Sequence, residues 1–123
     1  MLPKDKFDVS AVEQLRNVDT QQVIPLLPSM LEWIQDMNWP VAKPMVEVLL
    51  SYPNEITPLV ENVLCSEDDM WIYWCLVELV PKLPFYSKLV LTGAVEQIAS
   101  RPINPLNEDV VYAAQGALKS FEP

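Results

Sequence analysis

Proline divides this chain into short segments, and that division limits what the chain can fold into. The 123 residues include twelve prolines, about twice the average share. Because proline has no N–H group and clashes with the preceding turn, it stops a helix or begins one. Between the prolines, apolar residues recur with helical spacing, and no stretch alternates as a strand does. We therefore predict an all-α fold of about seven short helices.

Capping residues and prolines predict where these helices begin and end. Asp8 or Ser10 is predicted to cap the first helix, and Asp19 or Thr20 opens the second, because such side chains accept free N–H groups at helix starts. The remaining helices are predicted at about residues 40–52, 55–65, 70–80, 84–100 and 107–121. The segment 70–80 is apolar on nearly every side, so we expect it to be the central helix, covered on most of its surface.

The two glycines and the two cysteines fall inside predicted apolar helices. Gly93 and Gly116 each cost up to ~1 kcal/mol in a helix interior. We expect them where two helices approach closely; the alternative is that they are simply tolerated. Cys65 and Cys75 are expected to be buried reduced thiols, although their spacing does not exclude a disulfide.

The composition excludes much catalytic chemistry. The chain has no histidine, so it has no Ser–His or Cys–His nucleophile and no histidine metal ligand. Two glycines are too few for a glycine-rich phosphate loop or a dinucleotide-binding fingerprint. Calcium-loop spacing is also missing. We therefore expect a non-enzymatic protein with no catalytic, cofactor-binding or metal-binding residues.

The charge balance favours a protein partner. Seventeen acidic residues against eight basic ones give a net charge of −9. Such a chain is poorly suited to nucleic acid or to an anionic membrane surface, and it would suit a basic protein. The first residues do not resemble a signal peptide, and no window approaches the ~18 apolar residues of a membrane span. The expected location is the cytoplasm.

A repeated layout appears three times along the chain. Each copy has an acidic residue, a short spacer, a large apolar residue and a helix, and the copies begin at Asp36, Asp68 and Glu108. Each of the first two copies is followed by a second helix, and these two second helices have similar patterns. Because one helix pair cannot bury its apolar faces alone, stacked pairs would share a continuous core. We predict that residues 1–123 form a single helical-repeat domain, a short right-handed α-solenoid of antiparallel pairs.

Two resemblances accompany this layout. The segment 108–118 resembles a HEAT-type repeat. The stretches 2–8, 31–42 and 71–74 (LPKDKFD, LEWIQDMNWPVA and WIYW) resemble a bacterial family catalogued as domain of unknown function 5071. That second resemblance covers nearly the whole chain and implies a small cytosolic helical protein. It implies no particular activity.

Five residues are the candidates for a partner-binding surface: Asp36, Trp39, Asp68, Asp69 and Trp71. The acidic residues recur at one place in the repeat, so a solenoid would set them along one edge, and exposed aromatics beside carboxylates are typical of binding hot spots. The alternative is structural, because capping explains the acids and packing between repeats explains the tryptophans. Spacing further predicts that Trp33 and either Trp71 or Trp74 lie in the core.

The leading functional hypothesis is a protein-binding helical-repeat module, in one version an immunity-type protein that neutralises a basic toxin. A structural or oligomeric scaffold subunit is the second hypothesis, and an uncapped apolar patch at a solenoid end would favour it. A hydrolase that uses only carboxylates is the third, and it would need two of them in a deep pocket. The sequence leaves the partner's identity and the oligomeric state open.

Overall fold

Several helices begin at or shortly after a proline, as the sequence predicts. The computed structural model describes residues 1–122, and within them every regular element is helical. The α-helices are α1 Val9–Leu15, α2 Thr20–Val23, α3 Leu27–Glu32, α4 Ala42–Leu49, α5 Pro53–Leu64, α6 Asp69–Trp74, α7 Phe85–Ala99 and α8 Glu108–Lys119. A 3-10 turn joins α2 to α3 without a break, so the described residues contain seven separate helices, as predicted.

Capping residues begin the first helices as expected. The carboxylate of Asp8 accepts the N–H of Ala11, and that of Asp19 accepts the N–H of Gln21. The Asp8 and Asp19 carboxylates thus satisfy N–H groups that the first helical turn leaves free. The third predicted helix is shorter than expected, because α4 starts only at Ala42.

The segment predicted as one central helix is irregular and only partly covered. After α6 it continues as a π-helix, Cys75–Leu79, and a 3-10 turn, Val80–Lys82. Pro81 cannot donate to the Val77 carbonyl, so the α-helical pattern ends before it. Ile72 and Cys75 are buried, but Met70 is 61% exposed and Val77 39% exposed. The prediction of a helix covered on most sides is therefore wrong for these two residues.

One cluster of buried apolar side chains runs from Val12 in α1 to Ala117 in α8. Around it, α3 packs on α4 and α5, α5 packs on α7, and α6 packs on α8; α7 and α8 share the most extensive contact. The hydroxyl oxygens of Thr57 and Ser87, both buried, lie 2.8 Å apart between α5 and α7. Within residues 1–122, no helix combines the length and the apolarity needed to cross a membrane.

Both glycines lie on exposed helix faces, contrary to the prediction of close packing. A Cβ atom built on Gly93 or Gly116 meets nothing within 4 Å.

Cys65 is exposed and Cys75 is buried, and both are free thiols. The expected burial of Cys65 is wrong because α5 ends one residue earlier, which leaves Cys65 at the helix terminus.

Candidate functional site

The turn between α3 and α4 holds Trp39 against Trp33. The Asp36 carboxylate accepts the N–H of Asn38 at 2.9 Å, and its carbonyl accepts the N–H of Trp39 at 3.1 Å. The two indole rings meet edge to face with centroids 5.8 Å apart. Both rings are half-buried and pack against the core. Asp36 is therefore a turn-forming residue that orients Trp39.

A surface cavity of about 510 Å³ opens beside these tryptophans. It is lined by the N-terminal segment, the exposed face of α3 and the turn: Leu2, Pro3, Ser29, Glu32, Trp33, Gln35 and Trp39. Aromatic walls with a few polar groups are the usual composition of a recognition pocket.

Trp71 anchors α6 to α3. Its backbone N–H donates to the capping carboxylate of Asp68 at 3.1 Å, and its indole Nε1 donates to the Leu31 carbonyl at 3.2 Å. The ring forms one wall of a second cavity, of about 270 Å³. The lining residues come from α3, α5, the loop after α5, and α6: Pro28, Leu31, Glu32, Leu59, Asn62, Val63, Ser66 and Trp71.

Glu32 lines both cavities, so Trp39 and Trp71 open onto neighbouring parts of one surface. We call these two cavities together the α3 groove. Glu32 is exposed and is the only ionisable side chain among the described residues that line it. The repeat pattern located the two tryptophans but missed Glu32 and Trp33, because both precede the repeated segment. The sequence feature that could have identified Glu32 and Trp33 is their position at the end of an amphipathic helix, just before Asp36.

Asp69 lies apart from the α3 groove. Its carboxylate accepts a hydrogen bond from Arg101 Nη1 at 3.1 Å. With Trp74, Leu106 and Asp109 it lines a different cavity, of about 380 Å³. The candidate acids thus serve different structural roles: Asp36 forms a turn, Asp68 caps a helix and Asp69 forms an ion pair.

The four tryptophans are all half-buried, so the prediction that two of them belong to the core is wrong. Trp33, Trp39 and Trp71 instead pack against the core from outside. The indole N–H of Trp74 is buried without a hydrogen-bond partner among the described residues.

Two observations bear on catalytic chemistry. Among residues 1–122, no group of three acidic or cysteine side chains is placed to hold a metal ion. Burial raises the pKa of the Cys75 thiol far above its ordinary range, and the negative charge of Asp68 adds to the effect. The Cys75 sulfur is thus a neutral thiol at physiological pH and a poor nucleophile.

Comparison with known proteins identifies a family. No curated protein matches the chain. The family model described as a domain of unknown function, DUF5071, matches residues 1–118, which include the three stretches that carried the resemblance and the whole α3 groove. The chain therefore belongs to the DUF5071 family.

Proposed function

We propose that this protein is a non-enzymatic protein-binding module and that the α3 groove receives its partner. The observation that carries the proposal is the position of Glu32, a lone carboxylate that lines both tryptophan-walled cavities. A lysine or arginine side chain fits such a surface, because its stem packs on an indole ring while its charge meets the carboxylate. The proposed partner is therefore a basic protein.

The proposed scaffold for this groove is a short right-handed HEAT-like solenoid of antiparallel helix pairs. The packing order supports it, since α3, α5 and α7 contact one another in sequence and α6 contacts α8. The pairs α3–α4, α5–α6 and α7–α8 are also in contact. Contacts limited to the next helix and the one after it are characteristic of stacked repeats.

The net charge supports the same class of partner. A charge of −9 attracts a basic protein over distances of several ångströms and speeds encounter at low salt. The more specific form of the proposal is an immunity-type protein that neutralises a basic toxin in the cytoplasm. In that role, rapid electrostatic association matters more than catalytic groups.

The test is affinity capture from the native host, followed by binding measurements with the purified partner. We expect Glu32→Gln to weaken binding by ~3-fold and to lower its salt dependence. Trp39→Ala should weaken it by ~10-fold or more, because an aromatic wall is lost. Circular dichroism checks that each variant is folded.

Glu108→Gln is the matched control, because it removes an equal charge from an exposed position on α8, outside the groove. It should change binding little. The proposal fails if the captured partner is not basic, or if the Glu32 and Glu108 variants bind equally well.

A scaffold subunit remains the second candidate, because one specific observation favours it. The exposed face of α7 carries Phe85, Tyr86, Leu89 and Val90. Neighbouring exposed apolar side chains of this kind often mark an interaction surface.

A further inference from the structure

The outer face of α7 is apolar where a surface helix is normally polar. Phe85 is 64% exposed, Leu89 60%, Val90 53% and Tyr86 47%. The opposite face packs into the core through Ser87, Leu91, Val95 and Ile98. The N-terminal half of α7 thus packs into the core on one side and exposes apolar side chains on the other, which is typical of a helix covered by a second element.

Gly93 lies one turn after Leu89 on the same side of α7, and no contact within the chain requires a glycine there. A side chain at this position would meet nothing within 4 Å, so the fold does not need a glycine there. Glycine nevertheless weakens a helix interior. Phe85, Leu89 and Gly93 are spaced four residues apart, so they follow one line along the helix surface.

We propose that a second copy of this chain docks on this face, with the two α7 helices antiparallel and crossing at Leu89. A two-fold axis at Leu89 sets position 85 opposite position 93 of the partner, because both are four residues from the axis. Each Phe85 ring then covers the partner's Gly93, where the absent side chain leaves room for it. This proposal is independent of the α3 groove, which lies on other residues.

The charges on α7 also match a second copy in this orientation. Glu96 lies seven residues after Leu89, so the antiparallel arrangement brings it to the N-terminal end of the partner's α7. That end carries the positive pole of the helix dipole. Lys82, just before it, is exposed, and its Nζ lies 3.8 Å from the Glu78 carboxylate of its own chain. Lys88 is already engaged, because its Nζ donates to the Ser120 carbonyl at 3.1 Å beside the Phe121 ring.

The available area is sufficient for a specific dimer. The four exposed apolar side chains of α7 present on the order of 400 Å² of apolar surface. An interface that buried all of this surface, with the usual ~60% apolar share, would cover about 700 Å² per partner, within the range of specific interfaces. The surface also continues into a cavity of about 450 Å³ between α7 and the C-terminal residues Leu118 and Phe121.

The first experiment measures the mass of the full chain by sedimentation equilibrium over a range of concentrations. We expect a reversible dimer, and Leu89→Glu should abolish it because two carboxylates would meet at the axis. Gly93→Leu should raise the dimer dissociation constant at least ~10-fold, because it fills the space for Phe85.

Gly116→Leu is the matched control, because Gly116 is also an exposed helical glycine with nothing within 4 Å. It should leave dimerisation unchanged. A strictly monomeric wild-type chain overturns the proposal and leaves a different protein as the occupant of this face. Equal effects of the Gly93 and Gly116 variants also overturn it.

A cross-linking experiment tests the position of the axis. In a Cys65→Ser background, which removes the exposed thiol, Leu89→Cys should form a disulfide-linked dimer on mild oxidation. Gln115→Cys, at an exposed position on α8, serves as the control and should not. Cross-linking of the control alone, or of both variants equally, contradicts the α7 contact.

Discussion

The thiols of Cys65 and Cys75 differ in accessibility, and we therefore expect them to differ in reactivity. Cys65 follows the last residue of α5 and is exposed, while Cys75 begins the π-helix and is fully buried. Desolvation, followed by the negative charge of Asp68, raises the pKa of the Cys75 thiol. A raised pKa keeps this thiol protonated in the folded state, so its contribution to stability is complete below the unfolded pKa and is lost as the pH rises above it.

This difference predicts the pattern of thiol modification. In the native protein one thiol, that of Cys65, should react promptly with an alkylating reagent, and Cys65→Ser should abolish that reaction. The second thiol should react only after denaturation, because burial shields it from the reagent. Mass spectrometry of the alkylated chain measures both. Prompt double alkylation of the native protein would contradict the burial of Cys75.

At the level of elements, the start of α6 depends on Asp68. This helix has only six regular residues before it widens into the π-helix, so it offers few intrahelical hydrogen bonds. The Asp68 carboxylate satisfies the free N–H of Trp71, and Asp69 in the first turn interacts favourably with the positive end of the helix. The cap therefore also fixes the position of the Trp71 ring in the α3 groove.

Removal of the cap should destabilise the protein. Asp68→Ala is expected to lower the free energy of unfolding by ~1 kcal/mol, and Asp68→Asn by much less, because asparagine also caps helices. Urea denaturation followed by circular dichroism measures the change. Glu67→Ala, an exposed acid just before the cap, is the control. An Asp68→Ala variant as stable as the Glu67→Ala variant would be evidence against a stabilising cap.

At the scale of the whole molecule, the core is continuous from α1 to α8. Buried side chains join α1 to α8 in one cluster, and the buried contact between Thr57 and Ser87 links α5 to α7. Long repeat arrays can unfold in stages because each unit contacts only its neighbours. A short chain with one shared core is instead expected to unfold as a unit.

Cooperative unfolding is therefore the prediction at this scale. All four tryptophans lie between residues 33 and 74, whereas far-ultraviolet circular dichroism reports on every helix, including α7 and α8. The urea transitions measured by tryptophan fluorescence and by circular dichroism should coincide. A helical signal that persists after the fluorescence transition would show that α7 and α8 unfold separately.

The helices were predictable, but the grouping of the candidate site residues was not. Asp8, Asp19 and Asp68 mark helix starts through contacts that span three residues or fewer. The α3 groove depends instead on α6 packing near α3, which brings Trp71 close to Glu32, thirty-nine residues earlier in the sequence. No local sequence signal shows which distant helices come into contact. The repeat pattern therefore assigned Asp68 and Asp69 to one surface, although the Asp68 carboxylate binds the Trp71 N–H and the Asp69 carboxylate binds Arg101.

The sequence by itself determined the helical class and most helix boundaries, because proline, caps and periodicity act within a few residues. Three stretches of it also resembled the family whose model matches residues 1–118. Only the tertiary structure decided which surfaces are covered. In that structure, Cys65, Gly93 and the apolar face of α7 are exposed. Trp39, Glu32 and Trp71, which come from separate parts of the sequence, line one groove. The physical reason is that burial depends on what packs against an element, and those contacts join residues far apart in the chain.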